Sequence, residues 1–498
     1  MVVETELKLR IAPGQLARLK RNALLKALQV ARPVTRRLHN IYFDTPKLEL
    51  HQAEMALRLR HIGRQWLQTL KGGGSVYAGL HRRNEWEVPV AGEALDLDAL
   101  EAVGGMHFSQ AVRKRLRPIF VTDFSRNMRM LGFEGAQIEL CMDSGEIRAG
   151  RSARTISELE LELKSGEPLQ LFRLALALLD VVPLEVEHTS KAEYGYRLFA
   201  RSKPSPTQAA MPDLAACPDA QSALQAMIWP CLSHLQANVP GAVLESGVEY
   251  LHQVRVALRR LRVVLDMDRT FRADDDLAAL HDAVAALCAE LERLRIRDVF
   301  VAQLQEHMPD DAGLRALLKD GGKLREQQHA RVRDMLQSQE FQRLLLRFGA
   351  WMHGRYWREP SAGAASSLPR FADRILQMSS AQVNEPDRKL SVADASRLHT
   401  LFISCMKLRY SAELFASLYA GSKVTRYLSA LAPLQGVLGR LNDIAHASAM
   451  LAELEGKGRH DMIMRMRGQI EQDFAGNMAE VHKVWNKFNK QQVFWDQG

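Results

Sequence analysis

Eight residues near the start of the chain, Val3-Glu4-Thr5-Glu6-Leu7-Lys8-Leu9-Arg10, alternate between two kinds of side chain. Successive side chains of an extended chain point to opposite faces. Glu4, Glu6, Lys8 and Arg10 therefore share one face, and Val3, Thr5, Leu7 and Leu9 the other. A single strand of this kind needs only water on one side. The pattern returns, however. Ser157-Glu158-Leu159-Glu160-Leu161-Glu162-Leu163-Lys164 sets three carboxylates and a lysine against three leucines. Leu57-Arg58-Leu59-Arg60 repeats it with arginines, and Arg83-Asn84-Glu85-Trp86-Glu87-Val88 mixes both signs. Lys71 and Arg126 add single cations on strand-like segments. Carboxylates alternating along one exposed edge would repel one another for no gain. On the inner wall of a closed sheet they would form a polar tunnel, with the apolar outside covered by helices. Small barrels are usually filled by side chains, so a charged lumen calls for a ligand. Arg and Lys beside Glu suit a phosphate chain bridged to carboxylates by a divalent metal.

At 498 residues the chain exceeds what one hydrophobic core usually serves. Ser202-Lys203-Pro204-Ser205-Pro206-Thr207, and the residues up to about Ala220, read as a linker. Two domains are expected, 1–203 and 221–498. Before the linker, strand-like runs are punctuated by Asp44-Thr45-Pro46, Lys71-Gly72-Gly73-Gly74 and Asp143-Ser144-Gly145, with helices expected near Pro13–Leu28 and Pro168–Leu179. After it the pattern is long and helical. Net charge is +9; residues 1–203 hold 31 Lys and Arg against 24 Asp and Glu, the remainder 36 against 34. An anion site in the second half must therefore be a local concentration of cations. Five scattered cysteines without a Cys-x-x-Cys pair point to reduced thiols. Charges from Glu4 onward leave no apolar signal core, and no apolar run reaches spanning length. A cytoplasmic protein without a membrane partner is expected.

The helical half contains an internal repeat. His252, Arg255, Arg259 and Arg262 follow i, i+3, i+7 and i+10, one face of a helix. From His252, cations stand at +8 (Arg260) and +10 (Arg262); from His399, they stand at the same offsets, Lys407 and Arg409. Farther on, Leu294-Arg295-Ile296-Arg297-Asp298-Val299 matches Gly439-Arg440-Leu441-Asn442-Asp443-Ile444. Each copy would supply half of a pseudo-symmetric bundle, joined through Glu359–Pro369. A stripe of cations without interleaved acids needs water or an anion to screen it.

These motifs carry a resemblance. Glu-x-Glu-x-Lys at Glu4, Leu-Arg-Leu-Arg at Leu57, Arg-x-Glu-x-Glu at Arg83, the Glu158-x-Glu160-x-Glu162 strand and Ser190-Lys191 resemble the CYTH superfamily, the triphosphate tunnel metalloenzymes, over about residues 1–200. Asn40–Pro46, Gly79–Arg83 and Ser190–Tyr196 look closest to its bacterial inorganic triphosphatases. The helical half, about 221–498, resembles the CHAD domain, an α-helical module that binds polyphosphate. It departs from that pattern at Phe402, where the first copy has Arg255.

The expected fold is α+β: an antiparallel β-barrel tunnel with flanking helices, then an all-α pseudo-symmetric bundle. The resemblance implies hydrolysis of inorganic tripolyphosphate to pyrophosphate and phosphate. It further implies Glu4, Glu6, Glu160 and Glu162 as ligands for Mg²⁺ or Mn²⁺. Lys8, Arg58, Arg60, Lys71, Arg83, Arg126 and Lys191 would clamp the phosphate chain, while Glu85, Glu87, Glu139 and Asp143 orient these cations. His252, Arg255, Arg259, Arg260, Arg262, Arg297, His399, Lys407 and Arg409 would bind long-chain polyphosphate. Thiamine triphosphate or ATP as substrate, for a phosphohydrolase or a cyclase of the same fold, is the alternative within that superfamily. A mainly non-catalytic, polyphosphate-binding or granule-associated protein is the alternative outside it. No Walker-type loop, His-Glu-x-x-His pair or aromatic series beside the basic stripe is present, so nucleic acid is not an expected partner. Oligomeric state is left open.

Overall fold

The computed structural model describes the chain except residues 1, 78, 105–106, 245–246, 271–273, 307–311, 355–356, 358–366, 384–390, 455–459 and 496–498, and except the side chains of 2, 3, 306 and 312. Two compact units emerge: Met1–Pro206 together with Gln337–Glu359, and Thr207–Leu336 together with Pro360–Gly498.

The first unit contains nine strands: β1 (Val2–Ile11), β2 (Val34–Asp44), β3 (Met55–Ile62), β4 (Gln65–Tyr77), β5 (Leu80–Val90), β6 (Arg117–Phe133), β7 (Ala136–Ala149), β8 (Ser152–Ser165) and β9 (Leu184–Val186). Its helices are α1 (Pro13–Lys20), α2 (Ala23–Leu28), α3 (Glu49–Gln52), α4 (Leu97–Ala102), α5 (Gln110–Arg113), α6 (Pro168–Leu179) and α7 (Lys191–Ala200). The strands run β5-β4-β3-β2-β6-β7-β8-β1, all antiparallel, and β1 also pairs with β5, closing an eight-stranded barrel. In that ring β8 stands opposite β3, β1 opposite β2 and β7 opposite β4. One edge of β1 pairs with β5 up to Leu7, then with β9 from Leu9 to Ile11.

Alternation sorts the faces as the sequence implies. Leu7, Leu9, Leu57, Leu59, Leu159 and Leu161 are fully buried outside the barrel wall, while Glu6, Lys8, Arg58 and Glu160 turn inward. On the outside lies α6, with Leu171, Phe172, Leu174, Ala175 and Leu178 wholly buried. It starts where Pro168 takes the first helical position and Gln170 Oε1 accepts from Glu167 N at 3.0 Å.

Three local expectations are corrected. The helix over Pro13–Leu28 is two, because Asn22 interrupts it and caps α2 through Leu24 N at 2.8 Å. Asp143-Ser144-Gly145 is not a turn: it runs inside β7, where a Cβ on Gly145 would stand 2.2 Å from the carbonyl oxygen of Asp123. Lys71-Gly72-Gly73-Gly74 lies inside β4 rather than at a hairpin tip. The register with β5 shifts there, and Gly73 and Gly74 take φ +63° and +105°.

Residues 202–219 form neither helix nor strand. The remaining helices are α8 (Ala220–Ala242), α9 (Val248–Arg269), α10 (Asp275–Glu306), α11 (Ala312–Gln337), α12 (Gln339–Met352), α13 (Leu368–Ala381), α14 (Ala395–Leu414), α15 (Gly421–Glu453) and α16 (His460–Phe488). All but α12 build the second unit. There α9 packs on α10 and α14 on α15, and across the repeat α9 meets α14 and α10 meets α15. Those contacts form the pseudo-symmetric pairing that the repeat implies. The expected joint Glu359–Pro369 lies outside the described residues over 359–366. No helix among the described residues is long and apolar enough to cross a membrane.

α12 departs from the plan. It belongs to the barrel unit although it follows α11 in the helical half, and it packs on α6 and β9.

Candidate active site in the tunnel

The barrel encloses a cavity of about 320 Å³ lined by Glu4, Glu6, Lys8, Arg58, Arg60, Lys71, Arg83, Arg126, Glu160, Glu162 and Lys191. Every tunnel residue singled out as a metal or phosphate ligand therefore faces one space. Glu85, Glu87 and Glu139 face it too. Sequence reading missed Arg36, Asn40 and Tyr42, which continue the period-two face of β2 into the same cavity. The signal was legible: from Tyr42 backwards, each second residue points inward. Lys164 and Glu158 were read as part of the β8 face but not as site residues; Lys164 lines the cavity, and Glu158 sits in the acid cluster beside it.

Two electrical poles divide this space. At one pole, Asp143, Glu158 and Glu160 offer carboxylate oxygens within 4.8 Å of one another. Cations already hold them. Lys191 Nζ lies 2.7 Å from Asp143 and 2.9 Å from Glu160 and also meets Glu158. Arg126 grips Asp143 through two hydrogen bonds of 2.8 and 2.7 Å and reaches Glu160, as does Lys8. Burial opposes charge on Glu160, but Lys191, Lys8 and Arg126 hold it well below the carboxylate range. Burial pushes Glu158 up, against the pull of Lys191 and with help from Glu160. Of the four glutamates read as metal ligands, Glu160 alone belongs to this trio. Next to it Glu162 is less well compensated. Burial raises its pKa, Lys164 at 2.6 Å opposes, and the charges of Glu4 and Glu139 push it further up. Oxygen donors that repel one another are what a hard divalent cation relieves, so the residues present fit such an ion.

Across the barrel the sign reverses. Arg58 and Lys71 share Glu85 at 3.3 and 3.1 Å, and Lys71 also meets Glu4. Arg60 has no acid partner among the described residues; its Nε donates to Asn40 Oδ1 at 2.9 Å. Burial, reinforced by Arg58 and Arg126, drags Arg60 down to about 10. The buried Tyr42 phenol is nevertheless drawn below its ordinary value by Arg58, Arg60 and Lys71, the mark of a positive field. Arg83 and Arg36 likewise show no acid partner among the described residues.

A second chamber of about 320 Å³ adjoins this pole. It shares Lys71, Arg83, Ser190 and Ala192 with the tunnel and adds Gly72–Gly74, Met55, Val76, His51 and Tyr196. The His51 and Tyr196 rings stack at 4.2 Å.

In the helical unit the cation stripe is only partly free. Arg259 pairs with Glu292, and Arg260 turns to Glu413 at 2.8 Å. Lys407 meets Asp266 at 2.7 Å, and Arg409 meets Glu413 at 2.8 Å. Arg297 leaves the stripe, donating to the carbonyl of Leu324 and to Gln328 on α11 at 3.2 and 3.0 Å. What remains is a cluster of exposed His252 with Arg255 and Arg262, whose buried Nε atoms lack hydrogen-bond partners. Burial, with Arg259 and Arg295 beside it, lowers Arg255 to about 10. His399 reaches Asn442 Oδ1 at 3.2 Å and crosses the His446 ring at 5.9 Å. Phe402 is buried against Gly439, its ring 3.5 Å from where a Cβ would stand, so the second copy replaces a cation with core.

Residues 3–196 match the CYTH domain model, and residues 226–452 match the CHAD domain model. Over 201 residues the chain is 35% identical to an inorganic triphosphatase of Haemophilus influenzae. That stretch is 40% of this chain and 56% of the relative, so the chain spans little more than half of that protein's length. Among solved structures, the CHAD domain of the plant Ricinus communis is similar at 27% identity and a TM-score of 0.50, covering 59% of this chain and 98% of that one. The chain therefore carries a CYTH domain at 3–196 and a CHAD domain at 226–452.

Proposed function

We propose that the barrel unit is a metal-dependent inorganic triphosphatase that cleaves tripolyphosphate to pyrophosphate and phosphate. The observation that carries this reading is the pairing of two poles in one cavity: arginines without an acid partner among the described residues face carboxylates crowded within 4.8 Å of one another. A phosphate chain carrying Mg²⁺ or Mn²⁺ answers both at once. Glu4, Glu6, Glu160 and Glu162, with Glu139 nearby, would hold the metal, which neutralises charge developing on the phosphate oxygens. Arg60, Arg83 and Arg36 bind phosphate without first surrendering a carboxylate partner. Arg58, Lys71, Arg126, Lys8 and Lys191 exchange or share theirs as the chain enters. The inorganic triphosphatase from Haemophilus influenzae, 35% identical over this region, supports the same chemistry.

The second chamber favours one alternative, an organic triphosphate such as ATP or thiamine triphosphate, because Met55, Val76 and Tyr196 could receive a ring. A phosphate-release assay on tripolyphosphate, thiamine triphosphate, ATP and long-chain polyphosphate, with and without Mg²⁺, separates the two readings. The expected outcome is metal-dependent turnover with kcat/KM highest on tripolyphosphate. Equal efficiency on ATP would move the assignment to a nucleotide enzyme.

For the helical unit we propose long-chain polyphosphate binding at His252, Arg255, Arg259, Arg262 and His399. Unpartnered buried Nε donors of Arg255 and Arg262 support this. Binding should weaken as salt rises, because counterions released on binding oppose a multi-phosphate contact. Charge reversal at Arg255 should cost far more affinity than reversal at exposed Arg331. Equal losses would point to diffuse charge instead.

A further inference from the structure

Strand β9 is three residues long and pairs with β1 on one edge only. Its other edge presents the amides of Leu184 and Val186, and both are taken by α12. Leu184 N donates to Gln339 Oε1 at 3.0 Å, and Val186 N donates to Gln342 Oε1 at 2.8 Å. Two side-chain amides thus stand in for the missing strand. The spacing explains the fit, since β9 residues i and i+2 donate to one side while Gln339 and Gln342 share a face of α12. The helix is fixed there by other contacts. Ser338 Oγ caps it through Phe341 N at 3.1 Å, Arg343 meets Asp180 at 2.7 Å, and Gly349 lies so close to Phe172 that a Cβ would approach the ring to 2.0 Å.

What lies beyond Val186 is the acid cluster. Glu187 N donates to the carbonyl of Lys8 at 2.9 Å, and Glu187 Oε1 accepts from Thr189 N at 2.8 Å. Tyr194 OH donates to Glu187 Oε2 at 2.9 Å. Ser190 then caps α7 through Glu193 N at 3.1 Å and delivers Lys191 into Asp143, Glu158 and Glu160. Lys191 follows directly on the segment that α12 holds, whereas Lys8 is fixed in β1 by its pairing with β8 and takes one backbone hydrogen bond from Glu187.

We propose that Gln339 and Gln342 are positioning residues for Lys191, so that a helix drawn from the second half of the chain completes the tunnel site. This rests on the triphosphatase reading. Without the two glutamine acceptors, β9 loses its outer hydrogen bonds and the Glu187–Ser190 turn loosens, while the metal-side carboxylates Glu4, Glu139 and Glu162 keep their places.

The test uses the full-length chain with tripolyphosphate and Mg²⁺. In Gln339→Leu/Gln342→Leu, KM should rise roughly tenfold, a cost typical of slightly misplaced binding groups, with kcat changed much less. Gln339→Glu keeps the acceptor oxygen at a half-buried position and should restore KM, whereas Gln339→Leu alone should not. Hydrogen exchange followed by mass spectrometry supplies a readout independent of turnover. Peptides containing Leu184 and Val186 should exchange slowly in the natural chain and faster in the Leu variants. Unchanged KM together with unchanged exchange overturns the proposal and leaves the triphosphatase reading intact. Faster exchange with unchanged KM overturns the positioning role. Absence of turnover in the natural chain overturns the function itself, and exchange still decides whether α12 holds β9.

Discussion

Arg60 and Glu158 are each held in a state that the protein alone does not favour. Arg60 is a half-buried cation with no carboxylate partner among the described residues, so replacing it costs the empty protein little and the liganded one much. Arg60→Gln, which can still donate to Asn40, should raise KM for tripolyphosphate by about 10- to 100-fold, as the loss of a charged contact does. Thermal stability should be equal or higher. A fall in melting temperature with KM unchanged would mean that Arg60 is structural. Glu158 gives a pH signature. Burial, opposed by Lys191 and aided by Glu160, lifts its pKa from 4.5 to about 7. The folded state binds this proton more tightly than the unfolded state, so the contribution is full below about pH 4.5 and lost as pH rises through about 7. Glu158→Gln cannot ionise and should flatten that part of the fall. Melting temperatures of both proteins, measured from pH 5 to 8 without metal, would converge at low pH and separate by a few degrees at high pH. Parallel curves would refute the assignment.

At the scale of elements, legibility followed periodicity. The strands carrying Glu4 to Arg10, Arg58 to Arg60 and Glu158 to Lys164 could be read because charge alternates with Leu through them, and all became walls of one cavity. α6 could be read from Pro168 and its apolar face. Asp143-Ser144-Gly145 and Gly72–Gly74 misled, since glycine was there for close strand approach and a bulge, both of which depend on the neighbouring strand. Gln339 and Gln342 gave no signal at all. Two glutamines on an amphipathic helix look like any half-buried polar pair until a strand edge from 155 residues away is set beside them. The same distance effect hid the ion pairs that occupy Arg260 and Lys407, whereas Arg409 meets Glu413 one turn on in its own helix. α12 offers a direct check. Gly349→Val would drive a side chain into Phe172, a clash of the kind that costs about 1–3 kcal/mol or more in packed cores. It should lower the melting temperature and accelerate exchange at β9, with the helical unit's polyphosphate binding unaffected. Loss of polyphosphate binding in that variant would contradict the assignment of α12 to the barrel unit.

For the whole molecule, the barrel unit closes only when residues far apart in the chain have met. A fragment ending at Pro206 lacks Gln339, Gln342, Phe348 and Trp351 and leaves α6 and the edge of β9 uncovered. Such a fragment should be aggregation-prone and weakly active, and adding a peptide spanning 337–359 should restore solubility and turnover. Full activity in the fragment alone would show that α12 is dispensable. The order of synthesis gives this arrangement a further meaning. When the barrel strands have left the ribosome, residues 207–336 must still be made before α12 exists. At ~5–20 residues per second, that interval is on the order of ten seconds. For that time the nascent chain carries an open strand edge and an apolar helix face, the surfaces that chaperones recognise. A premature stop anywhere in that interval would yield a nearly complete tunnel unable to seal itself.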